Sequence, residues 1–132
     1  MRGLQLVVAD ADGSNVKRLV KEGHEVRVLD DNSRGSTDRL DSILSKIDFV
    51  NGDIRDPKAA REAMTGAEIV FNFAAESHVD RSIEEAASFI ETDIQGTYNL
   101  LNHARELKVK RYVQISTDEV YGSSDGEGFT EE

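Results

Sequence analysis

The stretch Leu4-Gln5-Leu6-Val7-Val8-Ala9-Asp10-Ala11-Asp12-Gly13 decides the fold of this chain. Its first six residues form a largely apolar run, which is typical of a buried β-strand, and a polar turn leads to Gly13. Residues 14–22 have the spacing of an amphipathic helix, and Gly23 is placed to end it. A second strand follows at residues 25–29. The stretch therefore predicts a strand, a helix and a strand in succession, which is the unit of a parallel sheet.

The same alternation continues along the rest of the chain. Three further apolar runs, at 47–50, 68–73 and 111–115, are separated by helical segments. Strands that alternate with helices favour a parallel sheet covered on both faces. Right-handed crossovers then predict a doubly wound, Rossmann-like α/β fold with five strands in the order 3-2-1-4-5. We assign this domain to residues 1–121 and expect the acidic, glycine-rich tail at 122–132 to be mobile.

Charge and composition limit the classes of partner. The 132 residues include 26 acidic and 16 basic side chains, for a formal net charge of −10, and no cysteine. An acidic chain disfavours nucleic acid as a partner. Because no apolar run reaches the roughly 20 residues of a membrane span and no signal peptide opens the chain, we expect a cytoplasmic protein without a membrane partner. We predict no metal site, and thiolate ligands are excluded.

The first turn is unusual for a doubly wound fold. In such folds the phosphates of a dinucleotide bind at the N-terminus of the first helix, where glycines let the backbone approach. Here Gly13 is the only glycine of the turn, and Asp10 and Asp12 carry negative charge. We expect these carboxylates to repel a pyrophosphate. The turn thus predicts a nucleotide site that is altered at its phosphate end.

Acidic residues also follow the second and third strands. Asp30, with Asn32 beside it, comes 17 positions after Gly13. A carboxylate about 20 positions beyond the glycine turn can bind a ribose 2′-hydroxyl and would repel a 2′-phosphate, which favours NAD over NADP. Asp53, after the third strand, is placed to meet an adenine amino group. The alternative for each is an ordinary polar loop.

The fourth and fifth strands end in two further candidate segments. Phe73-Ala74-Ala75-Glu76-Ser77-His78 contains small residues that would let a ligand lie against the backbone. Thr117-Asp118-Glu119 places two carboxylates beside a hydroxyl at a strand end, an arrangement suited to general acid–base catalysis. The alternative for the second segment is a turn with N-capping side chains.

These segments carry a resemblance to a known family. Residues 74–83 (AAESHVDRSI), 96–101 (GTYNLL) and 115–122 (ISTDEVYG) closely resemble the NAD-dependent epimerase/dehydratase family, the extended branch of the short-chain dehydrogenases. Residues 23–30 fit the same family. The similarity is greatest to its nucleotide-sugar 4,6-dehydratases, and it covers nearly the whole chain, which corresponds to about the first two-fifths of a full-length member.

The resemblance implies an enzyme that oxidises a nucleotide-sugar at C4, removes water across C5–C6 and returns the hydride. By this resemblance Thr117 contacts the sugar 4-hydroxyl, Asp118 protonates the leaving 6-hydroxyl and Glu119 takes the C5 proton. It also implies that Asp30, Asp53 and Ile54 hold the adenosine and that Ala74 and Ala75 line the cofactor. With the residues from the spacing argument, the candidate cofactor-binding set is Gly13, Asp30, Asn32, Asp53, Ile54, Ala74 and Ala75.

Departures from the family pattern concern the cofactor and the chemistry. The family's first turn reads Thr-Gly-Gly-x-Gly-Phe-Ile-Gly, and its glycines are replaced here by Val7, Val8 and Asp10. We expect those three side chains to enter the space needed for the pyrophosphate. The family usually has asparagine where Asp93 stands, and its Tyr-x-x-x-Lys pair is absent. We therefore expect a truncated or engineered NAD-binding domain that binds NAD weakly or not at all and is inactive alone.

The long helix predicted at 82–107 supports a competing interpretation. Its apolar residues lie along two lines, which is more than one sheet-covering stripe requires. The resemblance implies that this helix pairs with a second copy to form a homodimer. A degenerate or designed Rossmann-fold interaction module without cofactor is thus the alternative function, and a deeply buried helix is the alternative structure.

Overall fold

The computed structural model describes residues 3–10, 12–33, 37–75, 86–123, 126 and 128. The strands are β1 (Leu4–Val8), β2 (Glu25–Asp30), β3 (Ile47–Asn51), β4 (Ile69–Asn72) and β5 (Arg111–Gln114). The helices are α1 (Ser14–Lys21), α2 (Pro57–Met64), α3 (Ala86–Phe89) and α4 (Thr97–Glu106). 3-10 helices span Thr37–Lys46 and Asp118–Tyr121, and a π-helix, Ile90–Gly96, joins α3 to α4.

The strands form one parallel sheet in the order β3-β2-β1-β4-β5, which confirms the predicted topology. Strand β1 lies at the centre, where Val7 pairs with Val28 of β2 on one side and with Phe71 of β4 on the other. The carboxyl ends of the strands therefore meet at one edge of the sheet. In open α/β sheets this edge is where ligands bind.

The sheet separates two hydrophobic cores. Val8 packs in the core that includes Leu6, Leu29 and Leu100, whereas Val7 packs in the other, against residues of α1 and the first 3-10 helix. Both valines are fully buried. The expectation that they enter the pyrophosphate space was therefore wrong, because successive side chains of a strand point to opposite faces of the sheet.

The two helices on opposite sides of the sheet begin differently. Helix α2 begins as predicted, with Pro57 in its first turn and the Asp56 side chain accepting a hydrogen bond from the backbone N–H of Lys58 at 2.9 Å. Helix α1 begins after Gly13, whose φ of 70° lies in the left-handed region. A Cβ atom at Gly13 would also lie 2.7 Å from Cδ2 of Leu40. Glycine is thus required there for both conformation and space.

The predicted long helix is not continuous in type. Its first residues, 82–85, lie outside the described part of the chain, and the π-helix interrupts the α-helical hydrogen bonding. Gly96 packs directly against the Ile54 side chain, which leaves no room for a Cβ atom. Leu100 and Ala104 are buried toward the sheet. Among the described residues of this region, the exposed large apolar side chains are those of Ile90, Ile94, Tyr98 and Leu101.

Candidate nucleotide-binding site

The carboxylate of Asp10 lies inside the turn between β1 and α1. Asp10 is only 5% exposed, and its Oδ2 accepts hydrogen bonds from the backbone N–H groups of Asn15 at 3.0 Å and Val16 at 3.1 Å. Its Oδ1 accepts a third from Nδ2 of Asn15 at 3.2 Å. The first N–H groups of a helix have no acceptor within the helix. The Asp10 carboxylate is the acceptor for two of these groups in α1.

The remaining N–H groups at the start of α1 also have acceptors. The N–H of Ser14 donates to Oδ1 of Asp12 at 2.8 Å, and this hydrogen bond lowers the pKa of the Asp12 carboxyl below its usual value. The N–H of Gly13 donates to the carbonyl of Asp10 at 3.1 Å. Each N–H from Gly13 to Val16 is thus already bonded within the chain. These are the groups that a pyrophosphate binds in a dinucleotide turn.

The adenosine end, in contrast, has polar atoms available for a ribose. Asp30 is buried at the end of β2, where its Oδ1 accepts a hydrogen bond from the N–H of Asn32 at 2.8 Å. Its Oδ2 accepts another from Nη2 of Arg39 at 2.9 Å. The side-chain oxygen of Asn32 is buried and accepts no hydrogen bond from the residues that the structure describes. A ribose hydroxyl is a donor, so it has the chemistry to satisfy this oxygen.

Asp53 and Ile54 are placed differently from each other at the end of β3. Asp53 is paired with Arg55 at 2.6 Å, and the hydrogen bonds from that side chain lower the pKa of the Asp53 carboxyl. Ile54 is 5% exposed and packs in the core. Its carbonyl accepts a 2.6 Å hydrogen bond from Nδ2 of Asn99. The Ile54 side chain therefore belongs to the core, and only its main chain lies near the edge of the sheet.

A buried amide fixes the loop that leaves β4. Asn72 is fully buried, its Nδ2 donates to Oε1 of Gln114 at 3.0 Å, and its Oδ1 accepts from the N–H of Ala74 at 3.0 Å. It thereby ties β4 to β5 and sets the direction of the segment carrying Ala74 and Ala75. Ala74 is half-buried and Ala75 is exposed. Residues 76–78 of the candidate segment lie outside the described part of the chain.

The candidate catalytic segment follows β5 at the same edge of the sheet. Thr117 is exposed, and Asp118 opens the 3-10 helix that ends at Tyr121. The side chains of Asp118 and Glu119 lie outside what the structure describes. The catalytic roles implied for these three residues therefore stay predictions.

Three polar residues near the strand ends were missed by the sequence analysis. Asn72 had a visible signal, since it is an amide within the apolar run of β4. Arg55 and Arg39 had none, because their pairing with Asp53 and Asp30 depends on how the loops fold. In the described ranges no three His, Cys, Asp or Glu residues are grouped to hold a metal ion, and no helix is long and apolar enough to cross a membrane.

The five-stranded parallel sheet in this order, with its central strand–turn–helix, defines a Rossmann-like α/β domain. The model of the GDP-mannose 4,6 dehydratase family matches residues 9–132, and the chain belongs to this family. Among curated proteins, the low-salt glycan biosynthesis protein Agl12 of Haloferax volcanii is 42% identical over 125 residues, covering 91% of this chain and 40% of that protein. The dTDP-glucose 4,6-dehydratase of Streptomyces niveus is 51% identical over 75 residues, covering 57% of this chain and 22% of that protein.

Solved structures give the same result. The dTDP-glucose 4,6-dehydratase DesIV of Streptomyces venezuelae, solved with NAD bound, matches with a TM-score of 0.86 and 40% identity over 96% of this chain and 43% of its own. The UDP-glucose 4-epimerase of Thermus thermophilus in complex with NAD matches with a TM-score of 0.87 and 30% identity, over 97% of this chain and 42% of its own. The chain thus spans about two-fifths of the length of these relatives.

Proposed function

We propose that this chain is the NAD-binding part of a nucleotide-sugar 4,6-dehydratase in which NAD binding is weakened by the chain's own carboxylate. The observation that carries the proposal is the position of Asp10, which occupies the N–H groups of Asn15 and Val16. A bound pyrophosphate would have to displace this carboxylate or lie against its negative charge. Either requirement lowers affinity, because like charges repel strongly where water is excluded.

The adenosine end supports the nucleotide part of the proposal. Asp30 and Asn32 carry oxygen atoms that can accept hydrogen bonds from a ribose. Among the similar proteins, DesIV of Streptomyces venezuelae is a dTDP-glucose 4,6-dehydratase solved with NAD bound. The similar protein of Streptomyces niveus is also a dTDP-glucose 4,6-dehydratase. NAD would supply the hydride transfer when bound. Thr117, Asp118 and Glu119 are the residues that we propose to handle the sugar hydroxyl and the two protons. Because these 132 residues span about two-fifths of the length of the relatives, we propose no turnover by them alone.

Calorimetric titration with NAD tests the proposal. We expect weak or undetectable binding to the wild-type chain, and a gain of about tenfold or more for Asp10→Gly, because charge-assisted hydrogen bonds to a phosphate contribute about 1.5–3 kcal/mol. Asp48→Asn is the matched control, since it removes the same charge at the opposite end of the strands, where Asp48 pairs with Arg27. Micromolar binding by the wild type, or no gain for Asp10→Gly, would contradict the proposal.

A second candidate function is self-association, and an exposed apolar row favours it. Ile90, Ile94 and Tyr98 are spaced four residues apart and are 52%, 63% and 65% exposed, and Leu101 continues the row at 47%. We propose that this row pairs with a second copy, as the family resemblance implies. Sedimentation velocity over a range of concentrations tests it: the wild type should dimerise and Tyr98→Glu should not. Leu44→Glu, at an exposed apolar residue elsewhere, is the control. A wild type that stays monomeric removes this function.

A further inference from the structure

The two faces of the sheet differ in how strands β4 and β5 are covered. On one face, Leu100 and Ala104 of α4 share a core with Val70 of β4, and Tyr112 of β5 packs against it. On the other face, Val16 of α1 packs with residues of β1 and β2, and the core there includes no residue of β5 among those that the structure describes. Strands of a parallel sheet are normally covered on both faces, so β4 and β5 lack one covering element in the described ranges.

The uncovered side of these two strands is apolar. Phe71 and Phe73 of β4 point to it, and each is half-buried. Val113 of β5 pairs with Phe71, and Ile115 follows two residues later, so both lie on the same side of the sheet. Ile115 is 42% exposed. We call these four side chains the β4–β5 face.

A cavity of about 240 Å³ separates the β4–β5 face from α1. It is lined by Phe71 and Phe73 on the sheet side and by one stripe of α1 on the other: Asn15, Arg18, Leu19 and Glu22. The two charged side chains of this lining, Arg18 and Glu22, are paired with each other at 3.1 Å. Small-molecule pockets usually measure about 300–1,000 Å³ and have polar groups that converge on the ligand. The cavity therefore favours the apolar side chains of a packed polypeptide over a small ligand.

The outer edge of β5 is the second feature of this surface. Strand β5 pairs with β4 on one side, and the described ranges contain no strand on its other side. The N–H and C=O groups of such an edge are a template for a further strand. A polypeptide that pairs with this edge is also placed to cover the β4–β5 face.

The relatives indicate the kind of polypeptide that fits this surface. The chain spans 43% of DesIV of Streptomyces venezuelae and 42% of the epimerase of Thermus thermophilus. More than half of each relative thus lies outside the matched region. The β4–β5 face and the edge of β5 are the parts of this domain that are incomplete in the same way, because each lacks a neighbour that a parallel sheet requires.

We propose that the β4–β5 face and the edge of β5 bind, as a separate chain, a polypeptide that corresponds to this unmatched part of the relatives. The inference rests on the proposed function and names the partner that completes it. A strand of the partner pairs with β5, and a helix covers the β4–β5 face with an apolar side chain in the cavity beside Leu19. The candidate catalytic segment begins at Thr117, two residues after Ile115, so the same partner closes the edge of the sheet that carries it.

Co-expression of the full 132-residue chain with the unmatched part of DesIV, with an affinity tag on the partner, tests the inference. We expect the two chains to co-purify and to sediment as one complex. Ile115→Glu should weaken the complex by about tenfold or more, because a charge within an apolar interface loses its water without gaining a partner. Tyr98→Glu is the matched control, since it places the same charge on an exposed apolar side chain of the helical region, away from this face.

Circular dichroism of the isolated Ile115→Glu variant establishes that it is folded before affinities are compared. A partner that does not co-purify with the wild type would overturn the inference, as would a folded Ile115→Glu variant that binds with unchanged affinity. Self-association that Ile115→Glu abolishes, without binding of the partner, would identify a second copy as the occupant and would also overturn it. The NAD affinities of the wild type and Asp10→Gly are measured on the chain alone, so a failure of the proposed function is distinguishable from a failure of the inference.

Discussion

Oδ2 of Asp10 lies 3.1 Å from the backbone nitrogen of Val16, so a strand-end carboxylate closes the N-terminus of the first helix from inside the protein. This contact predicts a stability effect that is separate from ligand binding. Asp10→Ala should lower the free energy of unfolding by about 1–2 kcal/mol, the usual cost of losing an N-terminal cap. Asp10→Asn keeps an acceptor oxygen and should lose less. Urea unfolding measures both, and an Asp10→Ala variant as stable as the wild type would show that the cap contributes nothing.

Substitutions at Val7 and Val8 should affect stability and leave NAD affinity unimproved, in contrast to Asp10→Gly. Restoring the family's glycines at these two positions should not improve NAD binding, because their side chains fill the two cores and do not face the turn. Val7→Gly and Val8→Gly should each cost about 2–5 kcal/mol, from lost burial, a residual cavity and added backbone freedom. Chemical unfolding gives these values. A stable double variant with NAD affinity above that of Asp10→Gly would contradict this account.

Gly13 allows a conformational cost to be separated from a steric one. Gly13→Ala introduces a Cβ atom both at a φ of +70° and against Leu40, whereas Gly23→Ala introduces one at a φ of +83° with open space around it. The left-handed conformation alone costs about 1–2 kcal/mol in each case. Gly13→Ala should therefore be the more destabilising substitution in thermal unfolding.

Leu40→Ala provides the second step of that comparison. In a double-mutant cycle, Gly13→Ala should cost less in the Leu40→Ala background than in the wild type, because the atom that its Cβ meets has been removed. Additive losses would show that Leu40 moves aside without cost. The contact would then not be part of the requirement for glycine.

The buried phenol of Tyr112 should make the stability of the fold depend on pH in the alkaline range. Burial raises the pKa of its phenol from 10.0 to about 12, and its hydroxyl donates to Oε1 of Gln114 at 3.1 Å. Because the folded-state pKa is the higher one, the stabilisation is fully present below pH 10 and is lost as the pH rises toward 12. Urea unfolding is measured at intervals of about half a pH unit from about pH 9 to about pH 12. The midpoint urea concentration should fall more steeply with pH for the wild type than for Tyr112→Phe. Parallel curves would contradict the assignment.

The sequence pattern was sufficient for the sheet and insufficient for the site. The spacing of apolar residues, together with the turn residues between them, was sufficient to place the strands. Asp56-Pro57 predicted the first residue of α2 correctly. The direction of Val7 could not be read in the same way, because a shift of one residue in a strand moves a side chain to the other face. The Asp30–Arg39 pair was also out of reach, since it depends on where a loop and a 3-10 helix return to the sheet.

The π-helix was missed for a related reason. Residues 90–96 have no proline, their single glycine is Gly96, and the helix changes type where Gly96 lies against Ile54. That contact joins parts of the chain 42 positions apart, so a local pattern does not contain it. Sequence periodicity therefore assigned the helix and its apolar residues, and tertiary packing decided which of them face the sheet.

The separation of the two cores from the turn has a consequence for how this domain can change. Val7 and Val8 maintain the architecture, whereas the side chain of Asp10, two positions beyond Val8, accepts hydrogen bonds from the first residues of α1. On the function proposed above, exchanging this one side chain would change cofactor affinity while the sheet stays as it is. For protein engineering, position 10 can therefore be varied on a scaffold whose two cores and Gly13 are kept.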